Sequence, residues 1–324
     1  MATPAADTPG PDLDGTAPHT LVRIGRRRRL NLVVAGDGVP TVIFAPGLIN
    51  TSLEWARVQS AVARGTRTVA FDKAGMGFSD PGPLPRTASA VVRDLRAALK
   101  AAGIPPPYVL VGWSAGGLQM RLFAFRHPRE VAGMVMVDSA SEFQHRRLAE
   151  VPGAPVPDRA AELATYARLA RLARAGALTP GTADYARAVG PPSPALTPAM
   201  NAARAALRTS PDYWRAVRSE AAAMWATDGG SASGKELAAA RRPLGELPLI
   251  VLTAGANAWP RPGETAAVAQ ARHQVWRALH DQIAALSTRG ERRTVEGAGH
   301  AIQLDQPEAV VSAIEAVLDL ARAG

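Results

Sequence analysis

The chain contains no cysteine. That absence excludes disulfides, thiolate metal sites and a cysteine nucleophile together, although it does not fix the compartment. Long hydrophobic runs are missing as well: no stretch reaches the roughly 18 uninterrupted apolar residues a spanning helix needs, so no membrane partner is expected. The opening MATPAADTPGPDLDGTAP has neither a basic start nor an apolar segment. It is read as no signal peptide, and residues 1–18 are expected to form a disordered arm on a cytoplasmic protein. Aromatic residues make up only 5% of the chain. None interleaves with the densest basic run, Arg26-Arg27-Arg28-Arg29, so a base-stacking surface is not indicated. The net charge of +9 comes from arginines scattered along the chain. The run itself lies between two short apolar alternations, HTLVRI and LNLVVAG, which suits a solvated hairpin end better than a nucleic-acid site.

What is present is the composition of a globular protein, with 47% hydrophobic and 20% charged residues over 324 positions. That length accommodates one large α/β domain with an insertion, or two ordinary domains. From Leu21 to about Val137, short β-branched runs (TLVRI, RLNLVVA, TVIFA, RTVAFD, YVLVG, GMVMVD) alternate with helical periodicity over 52–64, 87–102 and 115–127. This alternation predicts a mostly parallel twisted sheet with helices on both faces, opened by an antiparallel hairpin. After Phe143 the strand signals stop for about a hundred residues, replaced by helical segments such as DRAAELATYARLARLARAG and PDYWRAVRSEAAAMWA. LPLIVLTAG then resumes the sheet, followed by a long helix, a last strand RRTVEG and a closing helix. The expected organisation is a core of residues 19–142 and 243–324, with a helical cap over 143–242.

YVLVGWSAGGLQMRLFAF places Gly112-Trp113-Ser114-Ala115-Gly116 between a predicted strand and a predicted helix. A sharp strand-to-helix turn needs small residues, and it exposes the serine oxygen beside helix N-terminal N–H groups able to bind an oxyanion. A serine hydroxyl needs a base. Of six histidines, His19 lies in the arm, and His127 ends a helix before Pro128. His273 and His280, seven apart on one helix, are expected to face solvent, while His145 stays open. His300, in VEGAGHAIQLDQPEAV, falls in a glycine-bearing loop after the last strand, where an imidazole can reach the carboxyl edge of the sheet. It is the preferred base.

These segments resemble an α/β-hydrolase. FDKAGMGFSDPGP is similar to that family's Asp-x-x-Gly-x-Gly-x-Ser loop, GWSAGG to its nucleophile elbow and GAGHAIQLDQPE to its histidine loop. The resemblance implies the α/β-hydrolase fold and a serine esterase mechanism without cofactor or metal. Two departures stand out. In FAPGLIN the family's usual His-Gly is Pro46-Gly47, yet oxyanion donors need only be backbone N–H groups, so Leu48 and Ala115 can serve. Asp72 and Ser79 are expected to order loops rather than react.

The second departure is IVLTAGANAW, residues 250–259. Family members with the triad acid after strand seven usually place Asp where this chain has Ala258. The best alternative is Asp138 at the end of strand six, 24 residues after Ser114, a spacing that fits one helical crossover to the neighbouring strand. Glu142 is second. Haloalkane dehalogenases and some lactonases resemble this arrangement, including lactonases that open the macrocyclic mycotoxin zearalenone. The substrate implied is a small hydrophobic ester or lactone, with Trp113, Trp214, Trp225 and Trp259 as candidate contacts. Tyr166, Tyr185, Met200, Tyr213 and Met224 could join them, with packing inside the cap as the alternative role for each. General carboxylesterase, cofactor-free haloperoxidase, acyltransferase and non-catalytic ligand-binding readings stay open, as does homo-oligomerisation.

Overall fold

The computed structural model describes residue 13 and residues 15–225, 230–256 and 263–323. Eight strands form one sheet in the order β1-β2-β4-β3-β5-β6-β7-β8. They are β1 (Thr20–Ile24), β2 (Arg28–Ala35), β3 (Thr41–Ala45), β4 (Thr68–Phe71), β5 (Tyr108–Trp113), β6 (Val131–Val137), β7 (Leu249–Ala254) and β8 (Gly290–Val295). The first two pair antiparallel with each other, and β2 pairs antiparallel with β4. From β4 through β8 every pairing is parallel. Strands buried on both faces explain the unbroken apolar reading of TVIFA and YVLVGW, in which every residue is buried.

The sheet separates two apolar layers. On one face it packs against the helices Ala88–Ala101, Ala115–Arg126 and the end of Ala266–Ala284. On the other it packs against Ala56–Val62 and Pro307–Ala323. Because β4 lies on one side of β3 and β5 on the other, the chain reverses its direction of travel across the sheet between β3 and β5. At such a switch point the connections diverge and leave a crevice at the carboxyl ends of the strands.

Between β6 and β7 the described residues form six helices: Gln144–Ala149, Arg159–Arg174, Ala183–Val189, Pro198–Arg208, Tyr213–Met224 and Ala232–Ala240. Most begin on a side-chain cap, with Asp158, Thr182, Thr197 and Ser231 each accepting a backbone N–H of the first turn. Their mutual core gathers Leu169, Ala173, Tyr213, Trp214 and Val217. Glu142, at the entry to this segment, accepts 2.8 Å bonds from Arg121 of the helix Ala115–Arg126 and from Arg241 at the segment's exit. One carboxylate thus ties both ends of the insertion to the helix that follows β5.

Of the arm expected over residues 1–18, residues 1–12 and 14 lie outside the described residues. Leu13 itself is buried with Trp55 and Val58. The arginine run ends in ion pairs, Arg28 to Asp94 at 2.9 Å and Arg29 to Asp80 at 3.1 Å. No helix of the described residues is long and apolar enough to cross a membrane.

Candidate active site

Ser114 sits between β5 and the helix Ala115–Arg126 with φ 52° and ψ −118°. That conformation is costly for a residue with a Cβ, by about 1–3 kcal/mol, and persists only where its surroundings hold it. They do so here through three bonds: Ser114 N–H donates to the Val137 carbonyl (3.1 Å), while the Ser114 carbonyl accepts from Gly117 (3.0 Å) and Ala140 (2.9 Å). The small residues around it are required by contact. A Cβ on Gly112 would lie 2.6 Å from the Gly117 Cα, and one on Gly116 would lie 2.3 Å from the Ala45 carbonyl oxygen. The turn is therefore pressed directly against the end of β3 and the loop leaving it.

Asp138 follows β6 directly and is fully buried. Its Oδ2 lies 2.6 Å from His300 Nδ1. Its Oδ1 accepts from the Ala254 amide (3.0 Å) and from the Trp276 indole N–H (2.9 Å). Burial alone would push this carboxyl up. The His300 hydrogen bond and charge, with lesser help from the Ala254 amide, prevail and hold it below the usual carboxylate range. With Nδ1–H donated to Asp138, the neutral imidazole presents Nε2 as its acceptor. His300 is positioned from its other side too, since its carbonyl accepts from Trp113 Nε1 at 2.8 Å, and the Gly299 amide donates to Asp305 at 2.8 Å.

The structure thus brings Asp138 and His300 together, beside the turn that carries Ser114. Glu142, the second candidate acid, is committed to Arg121 and Arg241, and is set aside. Leu48 and Ala115 both lie at this edge, and neither amide N–H has an acceptor among the described residues. Ala258 and Trp259 lie outside the described residues. Trp113 contacts His300, with ring centroids 5.5 Å apart. Trp214 departs from the expectation of a substrate contact: it is buried inside the insertion, stacked on Tyr166 and bonded through its N–H to the Arg208 carbonyl at 2.7 Å. Trp225 is covered by Tyr166 and by the Arg159 guanidinium, 4.5 Å from its ring. A large aromatic with a satisfied polar tip is a packing element first.

Asp72 and Ser79 order loops as expected. Asp72 accepts from the Ser52 amide and hydroxyl, from Asn31 and from the Phe78 amide, and Ser79 bridges the Asp72 carbonyl to Asn31. The solvent-facing expectation for His280 fails, for it is completely buried. Thr253 Oγ1 bonds its Nδ1 at 2.7 Å, and its Nε2–H donates to the Ser139 carbonyl at 3.0 Å. Burial lowers its pKa, Asp138 opposing, and the neutral ring fills both bonds. His273 is half-buried, its Nε2 2.9 Å from the Ala254 carbonyl. The missed signal was periodicity: Trp276, Leu279, His280 and Ile283 form one buried stripe of the helix Ala266–Ala284. Lys73 and Glu220, a buried pair at 2.7 Å beside the Gly47 and Leu48 carbonyls, were also not anticipated. A lone lysine and a lone glutamate 147 residues apart carry no local pattern.

A family model described as the alpha/beta hydrolase fold matches residues 40–307. Among curated proteins, the chain is 32% identical to YqjL of Bacillus subtilis over 128 residues, 40% of this chain and 46% of that protein. It is 31% identical to the pimeloyl-[acyl-carrier protein] methyl ester esterase of Shewanella woodyi over 134 residues, 41% of this chain and 44% of that one. The matches thus span less than half the length of these relatives. Among solved structures, a thermophilic esterase from Thermogutta terrifontis superposes with a TM-score of 0.63 at 20% identity, covering 94% of this chain and 99% of that one, a likeness of fold.

Proposed function

The chain belongs to the α/β-hydrolase fold family, and from that premise we propose that it is a serine hydrolase of carboxylic esters or lactones. The observation that carries this reading is the 2.6 Å contact of Asp138 with His300 at the edge where the strained Ser114 turn stands. Ser114 Oγ attacks the carbonyl carbon while His300 Nε2 takes its proton. Asp138 holds the imidazole tautomer and stabilises the imidazolium. The N–H groups of Leu48 and Ala115 receive the negative charge of the tetrahedral intermediate. His300 then protonates the departing alkoxide, and on the return step activates the water that cleaves the acyl-enzyme. The helical insertion would act as the cap over the carboxyl edge of the sheet, where a hydrophobic substrate would be covered. A macrocyclic lactone of the zearalenone type is the specific substrate put forward.

The test is covalent and kinetic. A fluorophosphonate should label Ser114 in the unaltered protein, located by peptide mapping, and a panel of nitrophenyl esters and lactones should be turned over while Ser114→Ala is inert. Intact zearalenone alongside cleaved short esters would remove the lactone and keep the esterase. An unlabelled Ser114 would favour a hydrolase-fold protein that only binds its ligand.

A further inference from the structure

The loop leaving β3 is held in an unusual way. Three successive carbonyls, those of Gly47, Leu48 and Ile49, accept bonds from side chains. Lys73 Nζ donates to Gly47 (2.8 Å) and Leu48 (3.1 Å), while Tyr213 OH (2.6 Å) and Arg208 (3.2 Å) donate to Ile49. Tyr213 and Arg208 come from the helical insertion. So does Glu220, which accepts the third N–H of Lys73 at 2.7 Å and also accepts from Gln119 of the helix after Ser114 at 2.7 Å. An ammonium has three protons, and here each has a partner. Lys73 and Glu220 side chains are 1% and 3% exposed, so water offers no substitute.

A trans peptide is planar, with each carbonyl antiparallel to the N–H of the next residue. Pinning the Gly47 carbonyl on Lys73 therefore sets the direction of the Leu48 N–H. That N–H has no acceptor among the described residues. The loop itself lies on the Ser114 turn: a Cβ on Gly116 would be 2.9 Å from the Pro46 carbonyl, and one on Gly47 would be 3.1 Å from the Trp113 ring. We propose that Lys73, held by Glu220 of the inserted helices, is the positioning residue that aims the Leu48 N–H and thereby assembles the oxyanion hole. The insertion is then part of the catalytic geometry as well as a roof. This inference rests on the serine-hydrolase reading above.

A donor used only by the tetrahedral species acts on kcat and leaves substrate binding alone. The variant to make is Lys73→Met with Glu220→Gln, which removes both charges and strands neither. With turnover expressed per site titrated to completion by fluorophosphonate, kcat should fall about 100-fold or more, as for loss of one oxyanion donor. KM should stay within about threefold, and a trifluoromethyl ketone, which forms a tetrahedral adduct on serine, should weaken by the same factor as kcat/KM. Unchanged kcat per titrated site overturns the inference, because a purely structural pair would alter only stability and the fraction of active sites. If the double variant does not fold, a structure of the unaltered protein with a boronic acid on Ser114 decides. An adduct oxygen bonded to Leu48 N–H, with Lys73 still on the Gly47 carbonyl, supports it, whereas an oxygen held elsewhere or a released Gly47 carbonyl overturns it. Failure of the unaltered protein to label at Ser114 removes the hydrolase reading and this inference together; normal labelling with an unaffected variant removes this inference alone.

Discussion

At the scale of single residues, the proposed acid, Asp138, is the point most open to measurement. Asp138→Asn keeps the side-chain shape but donates where it should accept, so it should lower kcat by about 10³–10⁴-fold, with the rate measured on a nitrophenyl ester. Full turnover would reject Asp138 as the acid. Trp276→Phe removes one of two donors to Asp138 Oδ1 and leaves the Ala254 amide. Losing a bond to a charged group should cost about 2 kcal/mol in urea denaturation, and a stability unchanged within error would show that the indole bond contributes nothing. Ser114 and His300 could be proposed from sequence because each sits in a short window whose local geometry is fixed: a strand, a turn of small residues and a helix for one, a glycine-bearing loop after a strand for the other. Trp276, Lys73 and Glu220 could not, because their partners lie far along the chain and only the folded sheet brings them together. The empty position at Ala258 directed attention to strand six, but the case for Asp138 now rests on its contacts.

At the scale of elements, the strands and the long helices were legible almost residue by residue, since their signal is periodicity with clear glycine and proline boundaries. The short helices Gln144–Ala149, Ala183–Val189 and Ile302–Asp305 were not. Seven residues or fewer make at most two turns, too little for a repeating apolar face, and such helices exist through capping and tertiary contact. The clamp of Glu142 by Arg121 and Arg241 likewise joins elements that sequence treats separately. Arg121→Met leaves a buried carboxylate with one half-exposed partner, and should cost about 3 kcal/mol, read from the urea midpoint. Arg121→Met with Glu142→Leu should recover most of that loss; if the pair is no more stable than the single variant, the buried charge was not the cause.

At the scale of the whole molecule, stability should fall on acidification. Burial, with Arg159 adding to it, lowers His145 to about 4 from an ordinary 6.5. Between those values the unfolded chain binds a proton that the folded one refuses, so stability is present above about pH 6.5 and is lost as the pH falls toward 4. Asp138, held below its usual range, adds a second loss at still lower pH, as its carboxylate is protonated. For a half-buried ring the His145 share is on the order of 1–2 kcal/mol. The melting temperature should therefore drop from pH 7 to pH 4.5, and His145→Gln should flatten that slope; an equal slope in the variant would reject the assignment. The bonds from Ser114 to Val137 and Ala140 have a different reach. They stitch the end of β5 and the end of β6 into one piece, whereas His300 arrives on a separate loop beyond β8. In hydrogen exchange, the amides of Ser114, Asp138 and Ala140 should open together, at a free energy close to that of global unfolding, and the histidine loop should open sooner. Under the proposed mechanism, mild heating would then silence turnover by withdrawing His300 while Ser114 and Asp138 stay in register, and cooling would restore it without refolding.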